Sequence, residues 1–248
     1  MSEKSLVYGL HAVQALLETH PKRVIRLLVL KERQDGKMQA LLELANTHQI
    51  PVEHVPRHEL DQRSQHENHQ GLIAFCRMTN HYTEKDLDAL LDAVSGPVLL
   101  LILDGVQDPH NLGACLRSAD AAGVHLVIAP KDKSVGMTPT VAKVASGAAE
   151  TVPFIQVTNL ARTMRFLQEK NIWLYGAAAE ASDTLYEADL TGSIALVLGS
   201  EGTGLRRLTR EHCDRLLKIP MQGSVSSLNV SVTTGIFLFE AIRQRASQ

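Results

Sequence analysis

The sequence predicts an α/β protein, with a C-terminal parallel sheet covered by helices and a small N-terminal α/β domain. Three observations carry this. From residue 98 onward, short and purely apolar runs alternate with helix-length segments. Strands that are apolar at every position are those buried on both faces, as in a parallel sheet. Three of these runs pass into a polar or glycine-rich turn that opens directly into a helix pattern, around 103–113, 198–205 and 219–231.

Taken in order, residues 9–17 have Leu10, Val13, Leu16 and Leu17 on one helical face, and Pro21 stops the helix. A strand-like run follows at 24–30. Residues 38–46 form a second amphipathic helix with Leu41, Leu42 and Ala45 inward, and 51–55 and 72–76 read as strands. His69-Gln70-Gly71 introduces the last of these. Residues 1–76 thus make a small α/β module. A linker is placed at 77–97, from the polar stretch 79–83, a short helix at 86–93 and the turn Ser95-Gly96-Pro97.

The remaining residues, 98–248, form the larger domain. Strands are expected at 98–103, 126–129, 154–157, 172–176, 194–198 and 216–219. Helices are expected at 112–122, 141–145, 160–170, 205–213 and 228–245. In the last helix Val232, Ile236, Phe239 and Ile242 share a stripe, which packs on the sheet or on another subunit.

Composition is that of an ordinary globular chain, with 44% hydrophobic and 21% charged residues among 248. A net charge of −2 excludes a uniformly basic protein, so any nucleic-acid surface must be local. Seven of the eleven histidines lie in the first third, but they are scattered and lack ligand spacing, so no metal site is expected. Three cysteines without a CxxC pair fit a reduced, cytoplasmic setting. The N-terminus lacks the apolar core of a signal peptide, and the longest aliphatic run is too short to cross a bilayer, so no membrane role is expected.

The chemistry should lie in the three loops, because ligands of open α/β sheets bind at the carboxyl ends of the strands. Gly199-Ser200-Glu201-Gly202-Thr203-Gly204 is either a tight turn or a ligand loop lined by backbone N–H groups. It is not a phosphate-binding GxxxxGK[ST] loop, and it follows a late strand rather than the first. In Asp108-Pro109-His110-Asn111-Leu112-Gly113, Asp108 or Asn111 can cap the coming helix. Asn111 and Arg117 are placed to face the same pocket, and an arginine fork there suits an oxyanion. Ser226-Ser227-Leu228-Asn229 is either a helix cap or the neutral polar lining that an adenosine-type ligand needs.

Together, in this order and spacing, the three segments resemble the SpoU-type RNA 2′-O-ribose methyltransferases of the SPOUT class. The N-terminal Tyr8-Gly9-Leu10-His11-Ala12-Val13 and His69-Gln70-Gly71 resemble that family's small substrate-binding domain. The resemblance implies a trefoil knot in the C-terminal segment, a rare exception to the unknotted rule. It implies S-adenosylmethionine bound around Gly199, Ile219 and Leu228, and a homodimer through the knotted domain. Asn111, Arg117, Glu201, Ser227 and Asn229 become the expected catalytic set. Within the family the resemblance points to 2′-O-methylation of a guanosine ribose in 23S ribosomal RNA. Transfer RNA as substrate, or a non-catalytic RNA-binding assembly protein on the same fold, stay open as alternatives.

Two roles stay open for Arg117. One is the base for the ribose hydroxyl, although a guanidinium with a pKa above about 12 is a poor base. The other is to hold the flanking phosphate and stabilise the developing alkoxide. Asn111, Asn229 and Ser227 would orient the ribose or Arg117. Glu201 would pair with Arg117 or take a hydrogen bond from a bound nucleoside. Arg206, Arg207, Arg210 and Arg215, and separately Arg162 and Arg165, are either RNA-binding patches or solvated faces.

Overall fold

The computed structural model describes residues 4–31, 33, 35–65, 67–77, 82–200 and 202–246. His66, residues 78–81 of the expected linker and Glu201 lie outside the described residues. The chain divides into two compact units, Met1–His81 with Met137–Thr151, and Tyr82–Gly136 with Val152–Gln248.

The first unit runs β1 (Lys4–Tyr8), α1 (Leu10–Thr19), β2 (Val24–Leu30), α2 (Gly36–Thr47), β3 (Val52–Val55), α3 (Arg57–Arg63) and β4 (Leu72–Arg77). Its sheet has the order β1-β4-β2-β3, antiparallel except for the β2–β3 pair. Val13, Leu16 and Leu17 of α1 and Met38, Leu41 and Ala45 of α2 cover one face, against Leu27, Val29, Leu72 and Ala74. On the other face Leu60 of α3 packs with Tyr8, Leu28, Ile73 and Phe75. Asp35 caps α2, its carboxylate accepting from the Met38 N–H at 3.1 Å. Two of these elements had no expectation behind them. α3 turns only one apolar residue inward, so it has no periodic stripe. β1 is a five-residue strand that needs its antiparallel partner β4 to exist.

The second unit starts with α4 (Leu87–Asp92) and continues through β5 (Leu99–Asp104), α5 (Pro109–Ala121) and β6 (Leu126–Pro130). Then come α6 (Pro139–Val144) and α7 (Ala148–Thr151), which group with the first unit. There Arg23 pairs with Glu150 at 2.5 Å, and Gly147 lies so close to Ala15 that a Cβ would come within 2.5 Å of the alanine methyl. The second unit resumes with β7 (Phe154–Val157), α8 (Leu160–Glu169), β8 (Trp173–Ala177), β9 (Asp183–Thr184), β10 (Ile194–Gly199), α9 (Arg207–Glu211), β11 (Arg215–Lys218) and α10 (Val230–Arg245). Its seven strands are ordered β7-β6-β5-β10-β8-β11-β9, and every pairing is parallel. All six residues of β5, and all but Gly199 of β10, are buried. The expected parallel sheet is therefore present, extended by the two-residue strand β9, too short to show a pattern of its own.

Helix α10 meets the sheet and α5 through Val230, Thr234, Phe237, Leu238 and Ala241. The stripe read from the sequence lies elsewhere on the helix, with Val232 50% and Phe239 51% exposed. Of the two packings left open for that stripe, the sheet is thus excluded. The helix is apolar on more than one side, so periodicity alone could not choose the inward face. Among the described residues no helix is long and apolar enough to cross a membrane, and no three metal-ligating side chains come together.

Burial pushes the Cys76 and Cys213 thiols up to about 12 and the Cys115 thiol up to about 11. Thiolates are the reactive form. The native chain should therefore resist a thiol reagent at mildly alkaline pH, and all three thiols should titrate in denaturant. Rapid labelling of native Cys76 or Cys115 would contradict the packing. Glu240 is buried, and the Arg243 guanidinium beside it holds its carboxyl below the usual value of 4.5. The stability it adds is full above that value and is lost as the pH falls through the depressed folded value. Glu240→Gln should flatten the acid side of the curve of melting temperature against pH, and an unchanged slope would count against the pairing.

Candidate active site

Strands β5 and β10 lie side by side in register, Leu103 beside Leu198 and Asp104 beside Gly199. The loops that follow them leave the sheet together. Gly105 has φ +83, and a Cβ added there would touch Ser200 and the Lys133 carbonyl at 3.8 Å. The loop after β6 is tied in as well, with Val135 N–H donating to the Val106 carbonyl at 2.9 Å.

The glycine loop is very tight. A Cβ on Gly199 would lie 2.1 Å from the Gly204 carbonyl carbon and 2.3 Å from the Leu205 nitrogen. Only glycine leaves room for the chain to fold back on its own strand end. Gly204 N–H donates to the Ser200 carbonyl at 3.0 Å, and the Ser200 and Thr203 hydroxyls are 2.6 Å apart. Gly202 and Gly204 take the left-handed backbone at φ +80 and +64.

The third loop is joined to the first by side chains. Asn229 Nδ2 donates to Asn111 Oδ1 at 3.0 Å. The side-chain Oδ1 of Asn229 caps α10, accepting from Ser231 N–H at 2.9 Å and the Ser231 hydroxyl at 2.6 Å. Asp108, rather than Asn111, caps α5, accepting from His110 N–H at 2.9 Å. Asn111 is thereby left to the loop contact. Arg117 sits two turns into α5, exposed and without an ion pair or hydrogen bond among the described residues. Ser227 is exposed, whereas Ile219 and Leu228 are half-buried. Glu201 lies outside the described residues.

The expected arginine patches are largely neutralised. Arg207 pairs with Glu211 at 2.8 Å, Arg210 with Glu180, and Arg162 with Glu84 at 2.5 Å. Arg206 is turned to Asp104, a carboxylate that is 0% exposed. Arg165 and Arg215 stay exposed without such partners among the described residues. Sequence reasoning missed Asp104 as part of this site. The signal was available, since an acidic residue closing a fully apolar strand needs a buried partner. Ser134, on the loop after β6, was also missed; its hydroxyl oxygen is buried and has no partner among the described residues.

Comparison with known proteins gives the same picture over the whole chain. Residues 98–239 match the SpoU rRNA Methylase family, and residues 6–82 match the RNA 2′-O ribose methyltransferase substrate-binding family. The chain is 57% identical over 246 residues to the 23S rRNA (guanosine-2′-O-)-methyltransferase RlmB of Escherichia coli K12, covering 99% of this chain and 100% of the relative. It is 58% identical over 243 residues to the RlmB of Vibrio vulnificus, covering 98% of each. Among solved structures, an RNA 2′-O ribose methyltransferase is similar with a TM-score of 0.81 at 27% identity, over 99% of this chain and 90% of that one. AviRb of Streptomyces viridochromogenes in complex with AdoMet is similar with a TM-score of 0.80 at 26% identity, over 98% and 91%. With the three loops gathered at the carboxyl ends of a parallel sheet and the two family models matched along the chain, the chain belongs to the SpoU methylase family, a membership that implies the trefoil knot.

Proposed function

We infer that the protein transfers a methyl group from S-adenosylmethionine to the 2′-oxygen of a guanosine ribose in 23S ribosomal RNA. The observation that carries this is the joining of three loops into one site. The Asn229–Asn111 hydrogen bond holds the third loop to the first, the glycine loop lies beside them, and Arg117 stands exposed on α5. Full-length likeness to guanosine-specific 23S enzymes supports this substrate over transfer RNA. The residues present fit the cofactor. Gly199 offers backbone in place of a side chain, the half-buried Ile219 and Leu228 offer apolar surface for a purine, and the neighbouring hydroxyls are neutral.

When bound, the cofactor supplies an electrophilic methyl on a sulfonium. The protein's task is then positioning and proton removal. Asn111 and Asn229 fix one another, which limits the rotamers of the side chains that line the ribose. Arg117, with no carboxylate to neutralise it among the described residues, holds the flanking phosphate and stabilises the alkoxide as it develops. Glu201 and Ser227 complete the set as orienting groups.

We further propose a cytoplasmic homodimer formed through the second unit. The exposed stripe of Val232 and Phe239 on α10 supports this, because it is apolar and faces away from the sheet.

Methyl transfer from labelled S-adenosylmethionine to unmodified total RNA tests the activity. Label should appear as 2′-O-methylguanosine in large ribosomal RNA. Label in transfer RNA would overturn the substrate, and no transfer despite cofactor binding would favour a non-catalytic assembly protein. Arg117→Ala should lower kcat by about a hundredfold or more, with cofactor affinity unchanged; normal turnover would remove Arg117 from the mechanism. Phe239→Lys should convert a dimer into a monomer in sedimentation, and a wild-type chain that sediments as a monomer would refute the dimer.

A further inference from the structure

Asp104 closes β5 with a carboxylate that is fully buried. Among the described residues, its hydrogen bonds and ion pair all come from a single residue. Arg206 donates its backbone N–H to Oδ2 at 3.0 Å and its Nε to Oδ1 at 2.6 Å. Arg206 Nη2 completes the fork on Oδ1 at 2.5 Å. Charge-assisted bonds of this kind are roughly twice as strong as neutral ones.

The position of the pair gives it meaning. Arg206 stands two residues past Gly204, the end of the glycine loop, and Asp104 directly precedes Gly105, where the loop toward Asn111 begins. Asp104 is also the register partner of Gly199, where the glycine loop starts. Both ends of the 199–206 stretch are therefore fastened to the same residue, one by the strand ladder and the other by the carboxylate. A buried carboxylate without its cation is costly, so the loop cannot drift open without exposing or stranding that charge.

We propose that Asp104 and Arg206 are positioning residues for the cofactor. The ion pair holds the two ends of the glycine loop, at Gly199 and Leu205, in the positions that receive S-adenosylmethionine, and Arg206 takes no part in binding RNA. The proposal rests on the methyl-donor reading of the site. Lysine is a poor replacement for Arg206, because an ammonium is a point charge and cannot reproduce the planar fork.

Calorimetric titration of S-adenosylmethionine into the whole protein tests this, alongside RNA affinity over a range of salt and thermal melting. The variants are Arg206→Lys, Asp104→Asn and the neutral pair Asp104→Asn with Arg206→Gln. Arg207→Ala is the control for loss of a nearby surface cation. Arg206→Lys and Asp104→Asn should each weaken cofactor binding roughly tenfold, about 1.4 kcal/mol. RNA affinity and its salt dependence should stay at the wild-type level. The double variant should bind the cofactor about as poorly as either single one, since partners in one network are not additive. Should a single variant fail to fold, the neutral pair, which strands no charge, gives the reading.

Two results would overturn the proposal. One is unchanged cofactor affinity in folded variants, which leaves the pair a purely structural role. The other is weakened RNA binding with a shallower salt dependence at constant cofactor affinity, which makes Arg206 a phosphate contact. Failure of the wild-type protein to bind the cofactor would instead bring down the methyl-donor reading, so the two failures are distinguishable.

Discussion

Parallel pairing of β5 with β10 is the constraint on which the second unit depends. Both strands are apolar almost throughout, and burying each large aliphatic side chain contributes about 1.5–3 kcal/mol. Their register then decides where the loops begin. Gly199 must stand at the strand end, because the returning chain at Gly204 and Leu205 fills the space of a Cβ there. A slip of one residue would put Leu198 at that point. Core packing and loop geometry thus select the same register, and mutual agreement of this kind favours a single native structure.

The charges obey a related logic. A protein that handles a polyanion while carrying a net charge of −2 has to attract it locally. Most arginines on α8 and α9 are answered by carboxylates, so they shape the protein more than they draw RNA to it. Among the described residues, the exposed cations without partners in the second unit include Arg117, Lys133, Arg165 and Arg215. A sparse set of cations limits non-specific capture, whose strength grows with each phosphate neutralised.

Much of this was legible in the sequence, for physical reasons. Strands buried on both faces are apolar at every position, so most of the second sheet could be read from 98 onward. The three loops stood out through glycine, serine and asparagine at strand-to-helix turns. What escaped was whatever depends on distant partners. The strand Lys4–Tyr8 exists only against β4, and Asp183–Thr184 only against β11. The Asn229–Asn111 bond spans 118 positions, and the Asp104–Arg206 pair spans 102. Arg206 looked like one more cation of a basic helix, because its partner is hidden at the end of an apolar strand. The outward stripe of α10 was recognised, but its direction was not, since the helix is apolar on more than one side.

The late position of β10 bears on how the chain is made. Ile194 pairs with Leu99 across 95 intervening steps of sequence, and β10 lies between β5 and β8 in the finished sheet. During synthesis, β5 and β8 therefore leave the ribosome before the strand that belongs between them. Their apolar edges stay uncovered until that strand arrives, and such edges invite pairing with other chains. Non-local parallel pairing is also intrinsically slow to form. The nascent protein thus passes through a stage in which β5 and β8 are made but lack the strand that joins them, and protection by a chaperone would matter most at that stage.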